Sequence, residues 1–217
     1  CLTVLLEWPF VRAALPEGKR GWARALRASL LVQAVSYLAL APVYWGAMDL
    51  GLLRNARIDP ALSFAAGSRA WVYFISNDML YCRSDLYVDP KTKEAWPDND
   101  DRFIFFCRGV IQTLILLGWK PDIIHLNDWQ SGLIAALLKT EFADEPLFKN
   151  TKVVFTVHNA AYQGIFPAES FPKTGLPAKT FKPDGVEFFG QMNLLKAGLM
   201  YADMITTVSP TYAKEIR

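Results

Sequence analysis

The sequence predicts an α/β domain with a doubly wound parallel sheet over residues 67–217, behind an apolar segment, 1–66, of different character. Three observations carry this. Short β-branched runs alternate with longer amphipathic runs, the rhythm of βα units. Loops rich in Asp, Pro and Asn separate them. Two of the apolar runs lead directly into the chain's only two histidines, His125 and His158, and open parallel sheets place ligands beyond the carboxyl ends of their strands.

The first segment stands apart. Residues 28–48, ASLLVQAVSYLALAPVYWGAM, contain no charged side chain. A helix of that length spans about 30 Å of hydrocarbon. Lys19, Arg20, Arg24 and Arg27 precede it as a cationic flank, and Tyr44 and Trp45 suit an interface. The stretch fits a transmembrane helix, and equally a buried helix ended by Pro42. Pro9, Pro16 and the charges before it argue against a cleavable signal peptide. The chain opens on Cys1 and stops at Arg217 just inside a helix start, so both ends read as cut.

From Trp71 the pattern becomes that of an α/β domain. WVYFI is a strand, and Ser84–Asp101 is a surface loop. Asp98, Asn99 and Asp100 are candidate N-caps for a helix with Phe103, Phe106, Val110, Leu114 and Leu117 at helical spacing, stopped at Gly118. PDIIH is the next strand, ending at His125, and DWQSGLIAALLKT its helix. KVVFTVHN gives a strand leading to His158, and NLLKAGLMYADM a further helix. ITTV is the last strand, with Ser209 and Pro210 opening a helix.

Composition narrows the function. A net charge of +2 gives no electrostatic footprint for nucleic acid. Cys1, Cys82 and Cys107 form no CxxC and read as free thiols of a reducing compartment. Two His and one Asp lack HxH or HExxH spacing for a metal, and neither a GxSxG elbow nor a GxxxxGK[ST] loop is present. A sugar site suits the rim better. Asp128, Gln130, Asn159 and Gln163 offer planar hydrogen-bonding groups, and Trp129, Tyr87 and Tyr162 offer rings for the apolar faces of sugars. Core packing is the alternative for each ring.

Three strings then carry a resemblance running continuously over about residues 69–217. PDIIHLNDWQSGL resembles the PDIIHxHDWQ segment of bacterial and plant glycogen/starch synthases. VVFTVHNAAYQGIF resembles their FTxHNxAYQG segment, and NLLKAGLMYADMITTVSPTYAKEI their LKAGxxYADxxxTVSPTYAxEI segment. YFISND, LYVDP and PDNDDRFIFF are weaker matches. The resemblance implies one Rossmann-like half of a two-domain GT-B glucosyltransferase, transferring glucose from ADP-glucose to the non-reducing end of an α-1,4-glucan. The anomeric configuration is retained and no cofactor or metal is used. It implies that His158 contacts the transferred glucose as the catalytic residue. Asp128 and Trp129 would lie near donor glucose and acceptor, Tyr87 in an acceptor-contacting loop, and Asn159 and Gln163 on loop and sugar hydroxyls, with Gln130 a further substrate-binding candidate. A cytoplasmic or plastid setting goes with it.

The sequence also departs from the family pattern. Nothing in 1–66 matches the family's K-T-G-G-L nucleotide loop, and the resemblance does not extend to the family's second domain with its phosphate-binding cations. Asn127 stands where the family commonly carries a second His. The expectation is a fragment inactive in isolation. A non-catalytic glucan-binding or membrane-anchored module of the same origin, and a GT-B enzyme with another nucleotide sugar, are the alternatives.

Overall fold

The computed structural model describes residues 2–6, 57–63 and 70–216, with side chains from Tyr73 onward. Residues 28–48, and with them the candidate membrane helix, lie outside the described residues. Among the described residues no helix is long and apolar enough to cross a membrane.

The chain divides into two compact units, Cys1–Asp78 and Met79–Arg217. In the first, β1 (Leu2–Leu6) and β2 (Arg57–Ser63) flank β3 (Ala70–Ser76), both antiparallel to it. The predicted strand at 71–75 is therefore present, but it is the centre of an antiparallel sheet and not the first strand of the parallel one. Period-2 patterning marks a strand without marking its partner, which long-range pairing decides.

A short helix, α1 (Asp78–Tyr81), starts on the last residue of the first unit, and in the second unit a loop leads from it into α2 (Asn99–Leu116). Asp98 is the N-cap residue, yet its side chain makes no capping bond. Its carboxylate takes Arg83 Nη1 at 2.7 Å instead, bridging the start of α2 to the preceding loop. The helix ends in a Schellman motif. Gly118 adopts φ +59, its N–H donates to Ile115, and the Trp119 N–H donates to Leu114. The predicted apolar stripe is present, but α2 is enclosed far beyond it. Arg102, Arg108 and Cys107 are buried along with Phe103, Ile104, Phe105 and Phe106.

The parallel sheet has the order β4 (Ile123–Asn127), β5 (Lys152–Val157), β9 (Met204–Thr207). After β4 comes α3 (Asp128–Lys139). A small antiparallel sheet follows β5, made of β6 (Ile165–Phe166), β7 (Glu187–Phe188) and β8 (Gln191–Asn193), with β8 central. β8 passes into α4 (Leu194–Tyr201), which returns the chain to β9, and α5 (Pro210–Glu215) comes last. Ser209 caps α5, accepting the Tyr212 N–H at 3.1 Å, as its position before Pro210 predicts.

Alternation along the strands sets two faces. Ile124, Leu126, Val153, Phe155 and Val157 are buried. On the opposite face lie Ile123, His125, Asn127 and Met204, all exposed. Helix α4 comes close enough to α3 that only glycine fits at 132, where a Cβ would run into the Leu194 carbonyl. Asp203, just before β9, locks the strand start. It accepts the Val153 N–H at 2.8 Å and Lys139 Nζ at 2.8 Å, and the Lys139 bond holds its carboxyl below the usual range.

Candidate active site at the carboxyl rim

The site grows from the junction of β4 and α3. Strand β4 runs two residues past the predicted end, to Asn127, so His125 lies within it. His125 Nε2 is 2.6 Å from Thr156 Oγ1, and Thr156 Oγ1 is 2.6 Å from Thr206 Oγ1. This polar row crosses all three strands one pleat short of the rim. His125 therefore lies near the rim, and His158, directly after β5, reaches it. The first polar residue marks the strand end in the sequence, whereas the alternation of buried Ile124 and Leu126 carries β4 on.

Asp128 opens α3 in the left-handed region, φ +57. A non-glycine residue held there costs roughly 1 kcal/mol or more. The conformation points its carboxylate across to the turn after β5. Asp128 Oδ1 accepts the His158 N–H at 2.7 Å and the Asn159 N–H at 3.4 Å. The segment carrying the predicted catalytic histidine is therefore held by the predicted aspartate. The His158 ring is bound as well, its Nε2 lying 2.9 Å from Asn127 Oδ1. Asn159 Oδ1 accepts the Ala161 N–H at 2.9 Å, an Asx turn that shapes the loop.

The aromatic part of the site is an enclosed cluster. Trp129 is 9% exposed. Its ring meets Phe103 edge-on at 4.4 Å and lies 6.0 Å from Tyr87 and 6.1 Å from Phe166. Gly164, at φ +60, lies flat against that indole, and a Cβ there would enter the ring. Trp129 thus supports the floor of the rim from inside, and the more exposed ring belongs to Tyr87, at 37%. Tyr87 stacks on Phe103 at 5.9 Å, and its hydroxyl accepts Gln130 Nε2 at 2.7 Å. Tyr162 projects outward at 68% exposure. Gln163 is committed to the protein: its Oε1 accepts Asn193 Nδ2 at 2.8 Å and its Nε2 donates to the Ala160 carbonyl at 3.3 Å.

Of the predicted residues, Asp128, His158 and Asn159 converge directly, as do Tyr87, Trp129 and Gln130. Three contributors escaped the sequence reading. Asn127 binds the His158 ring. Tyr212 Oη accepts the Ala160 N–H at 2.8 Å, tying the loop after His158 to α5. Ser131 Oγ accepts the Asn127 N–H at 2.8 Å. Asn127 was within reach, since it lies two residues beyond His125 at strand period. Among the described residues no group of three His, Cys, Asp or Glu side chains is placed to hold a metal ion.

Similarity to known proteins agrees with this fold. The family described as "Starch synthase catalytic domain" matches residues 35–217, beginning inside the segment 1–66 that the sequence reading set apart. Glycogen synthase 2 of Geobacter sulfurreducens is 48% identical over 145 residues, covering 67% of this chain and 30% of that protein. A glycogen synthase of Desulforudis audaxviator is 38% identical over 207 residues, covering 95% of this chain and 38% of that protein. The chain therefore spans well under half the length of these relatives. Among solved structures, the catalytic domain of starch synthase IV from Arabidopsis thaliana bound to ADP and acarbose aligns with a TM-score of 0.59 at 28% identity, over 75% of this chain and 36% of that one. A parallel sheet ending in the Asp128–His158 clamp, and a family match covering most of the sequence, together establish that the chain belongs to the starch synthase catalytic domain family.

Proposed function

We propose that this chain supplies the sugar-binding side of a glucosyltransferase that moves glucose from ADP-glucose to the non-reducing end of an α-1,4-glucan. The observation that carries the reading is the Asp128 clamp: one carboxylate oxygen holds the backbone of His158 and Asn159 at the carboxyl ends of the strands. Preorganised polar groups at such a rim are what a transfer through a charged transition state requires. His158 is the group assigned to the transferred glucose. Tyr87, with Gln130 behind its hydroxyl, is assigned to the acceptor chain. Trp129 backs both as a packed support, and Gln163 shapes the loop. The donor is a substrate, so the reading calls for no bound cofactor.

The starch synthase IV structure is bound to ADP and acarbose, which supports a nucleotide sugar and a glucan as the two ligands. Co-sedimentation of the 217-residue chain with glycogen tests the acceptor half. Binding is expected, and Asp128→Ala is expected to weaken it about tenfold, ~1.4 kcal/mol, by freeing the His158 turn. Glucose transfer from labelled ADP-glucose by the chain alone is expected to be absent, because it spans only 30% of the Geobacter relative. No glycogen binding, or binding indifferent to Asp128→Ala, would sink the reading. Turnover by the chain alone would overturn the expectation of inactivity.

A further inference from the structure

We propose that Asn127 is a positioning residue that holds His158 in its Nε2–H tautomer, so that the ring meets a substrate hydroxyl through Nδ1, as an acceptor. The contact is Asn127 Oδ1 to His158 Nε2, 2.9 Å. An amide oxygen only accepts, so the proton in that bond belongs to Nε2. In the neutral ring the remaining lone pair then sits on Nδ1. The imidazole is exposed, and among the described residues no hydrogen bond to Nδ1 competes with a ligand.

Asn127 is itself fixed. Its backbone is extended, φ −127 and ψ 119, at the N-cap position of α3. Its N–H donates to Ser131 Oγ, and its carbonyl accepts from the same hydroxyl at 2.9 Å. An asparagine at an N-cap ordinarily accepts an N–H of the first helical turn. This one makes no side-chain cap bond. That stabilisation is forgone, and the amide is turned across the strand gap to the imidazole. The other half of the ring's placement comes from Asp128, which binds the His158 N–H. Main chain and side chain of His158 are thus set by two adjacent residues at the end of β4.

The departure from the family string now has a chemical meaning. A histidine at 127 could donate or accept, according to its own tautomer, and would leave the partner's proton undetermined. Asparagine through Oδ1 accepts only. Asp128 binds the His158 N–H, and His125 is engaged one pleat back with Thr156.

The test uses the 217-residue chain labelled with nitrogen-15 at histidine. With two histidines in the sequence, His125→Gln assigns both rings. Two-bond nitrogen–proton correlations, recorded where His158 is neutral, separate the tautomers. The wild type is expected to show Nε2–H alone, and Asn127→Ala a mixture with Nδ1–H. An Nδ1–H ring in the wild type, or the same tautomer shares in both proteins, would overturn the proposal. Asn127→Asp keeps the side-chain size, covering the case in which the alanine variant fails to fold. Its carboxylate oxygens also only accept, so the Nε2–H ring is expected to persist, and a mixture with Nδ1–H in this variant would overturn the proposal too. The role toward a sugar rests on the function proposed above, and maltoheptaose or ADP-glucose added to the labelled protein probes it separately. If neither ligand moves the Nδ1 resonance, the sugar reading fails and the tautomer assignment stands.

Discussion

Replacing Arg102 with methionine tests how the rim is held from below. Arg102 is 1% exposed, yet among the described residues no carboxylate is bonded to it. Its Nε donates to the Leu80 carbonyl at 2.8 Å, and its Nη1 to the Leu86 carbonyl and to Asn99 Oδ1, both at 2.6 Å. Asn99 Nδ2 in turn donates to the Tyr87 carbonyl at 2.9 Å. The loop that presents Tyr87 to the site is therefore stitched to α2 by one buried cation and one amide. Burial pulls the Arg102 pKa down from its usual value, but a guanidinium remains charged at neutral pH. Each bond to a charged donor contributes roughly 1.5 kcal/mol net. Methionine loses them all, while relieving the cost of burying the charge and letting water reach the freed carbonyls of a loop where Leu86 is 44% exposed. The balance is a loss of about 2–3 kcal/mol. Urea unfolding followed by tryptophan fluorescence measures it. Amide hydrogen exchange is expected to rise across 80–88 and to change little in β5. A variant within about 0.5 kcal/mol of wild type, with unaltered exchange in that loop, would show that Arg102 does not hold it.

Two further outcomes follow from the same geometry. Gly164→Ala combines a φ of +60 with a methyl group driven into the Trp129 ring. It is expected to cost about 2 kcal/mol or more and to alter the tryptophan near-ultraviolet circular dichroism, and a neutral substitution would mean that the turn moves freely. Asp203 is held below the usual carboxyl range by its bond to Lys139, with help from the Val153 N–H. A depressed folded-state pKa stabilises the protein above the unfolded value, and this is lost as pH falls below about 4. The stability–pH curve of Asp203→Asn should be flatter than that of wild type on that acid limb, and parallel limbs would remove the assignment.

The residues explain what the sequence could disclose. Local features were legible because local forces make them. Gly118 ends α2, Ser209 caps α5, and the runs before Asn127 and His158 become adjacent parallel strands with their carboxyl ends together. That convergence brought Asp128 and His158 into view as one site. What stayed hidden was decided between distant segments. Nothing in WVYFI distinguishes an antiparallel centre strand from a parallel edge. Asp98 reads as a cap, but Arg83 competes successfully for its carboxylate. Trp129 reads as a sugar platform, but Phe103, Phe166 and Gly164 close over it. Gln163 reads as a ligand group, but Asn193 has already taken its oxygen. In each case a polar or aromatic side chain had two suitable partners, and only the tertiary structure chose.

The rim also shows where the chain accepts local cost. Asp128 sits at positive φ without being glycine, and Asn127 forgoes a helix cap. Neither helps α3 to form, since an uncapped helix start loses about 1 kcal/mol and a left-handed aspartate about as much again. Both costs fall at one strand–helix junction, and both direct a side chain toward the same neighbour, His158. A junction selected for stability alone would cap α3 with Asn127 and relax Asp128, leaving the turn after β5 free to move. Residues 127 and 128 instead give up helix stability to fix the backbone and the ring of one exposed histidine. Local strain that converges on a single solvent-facing side chain is the mark of a site and not of a core. On that ground the proposed function centres on His158, with Trp129, although better packed, as its support.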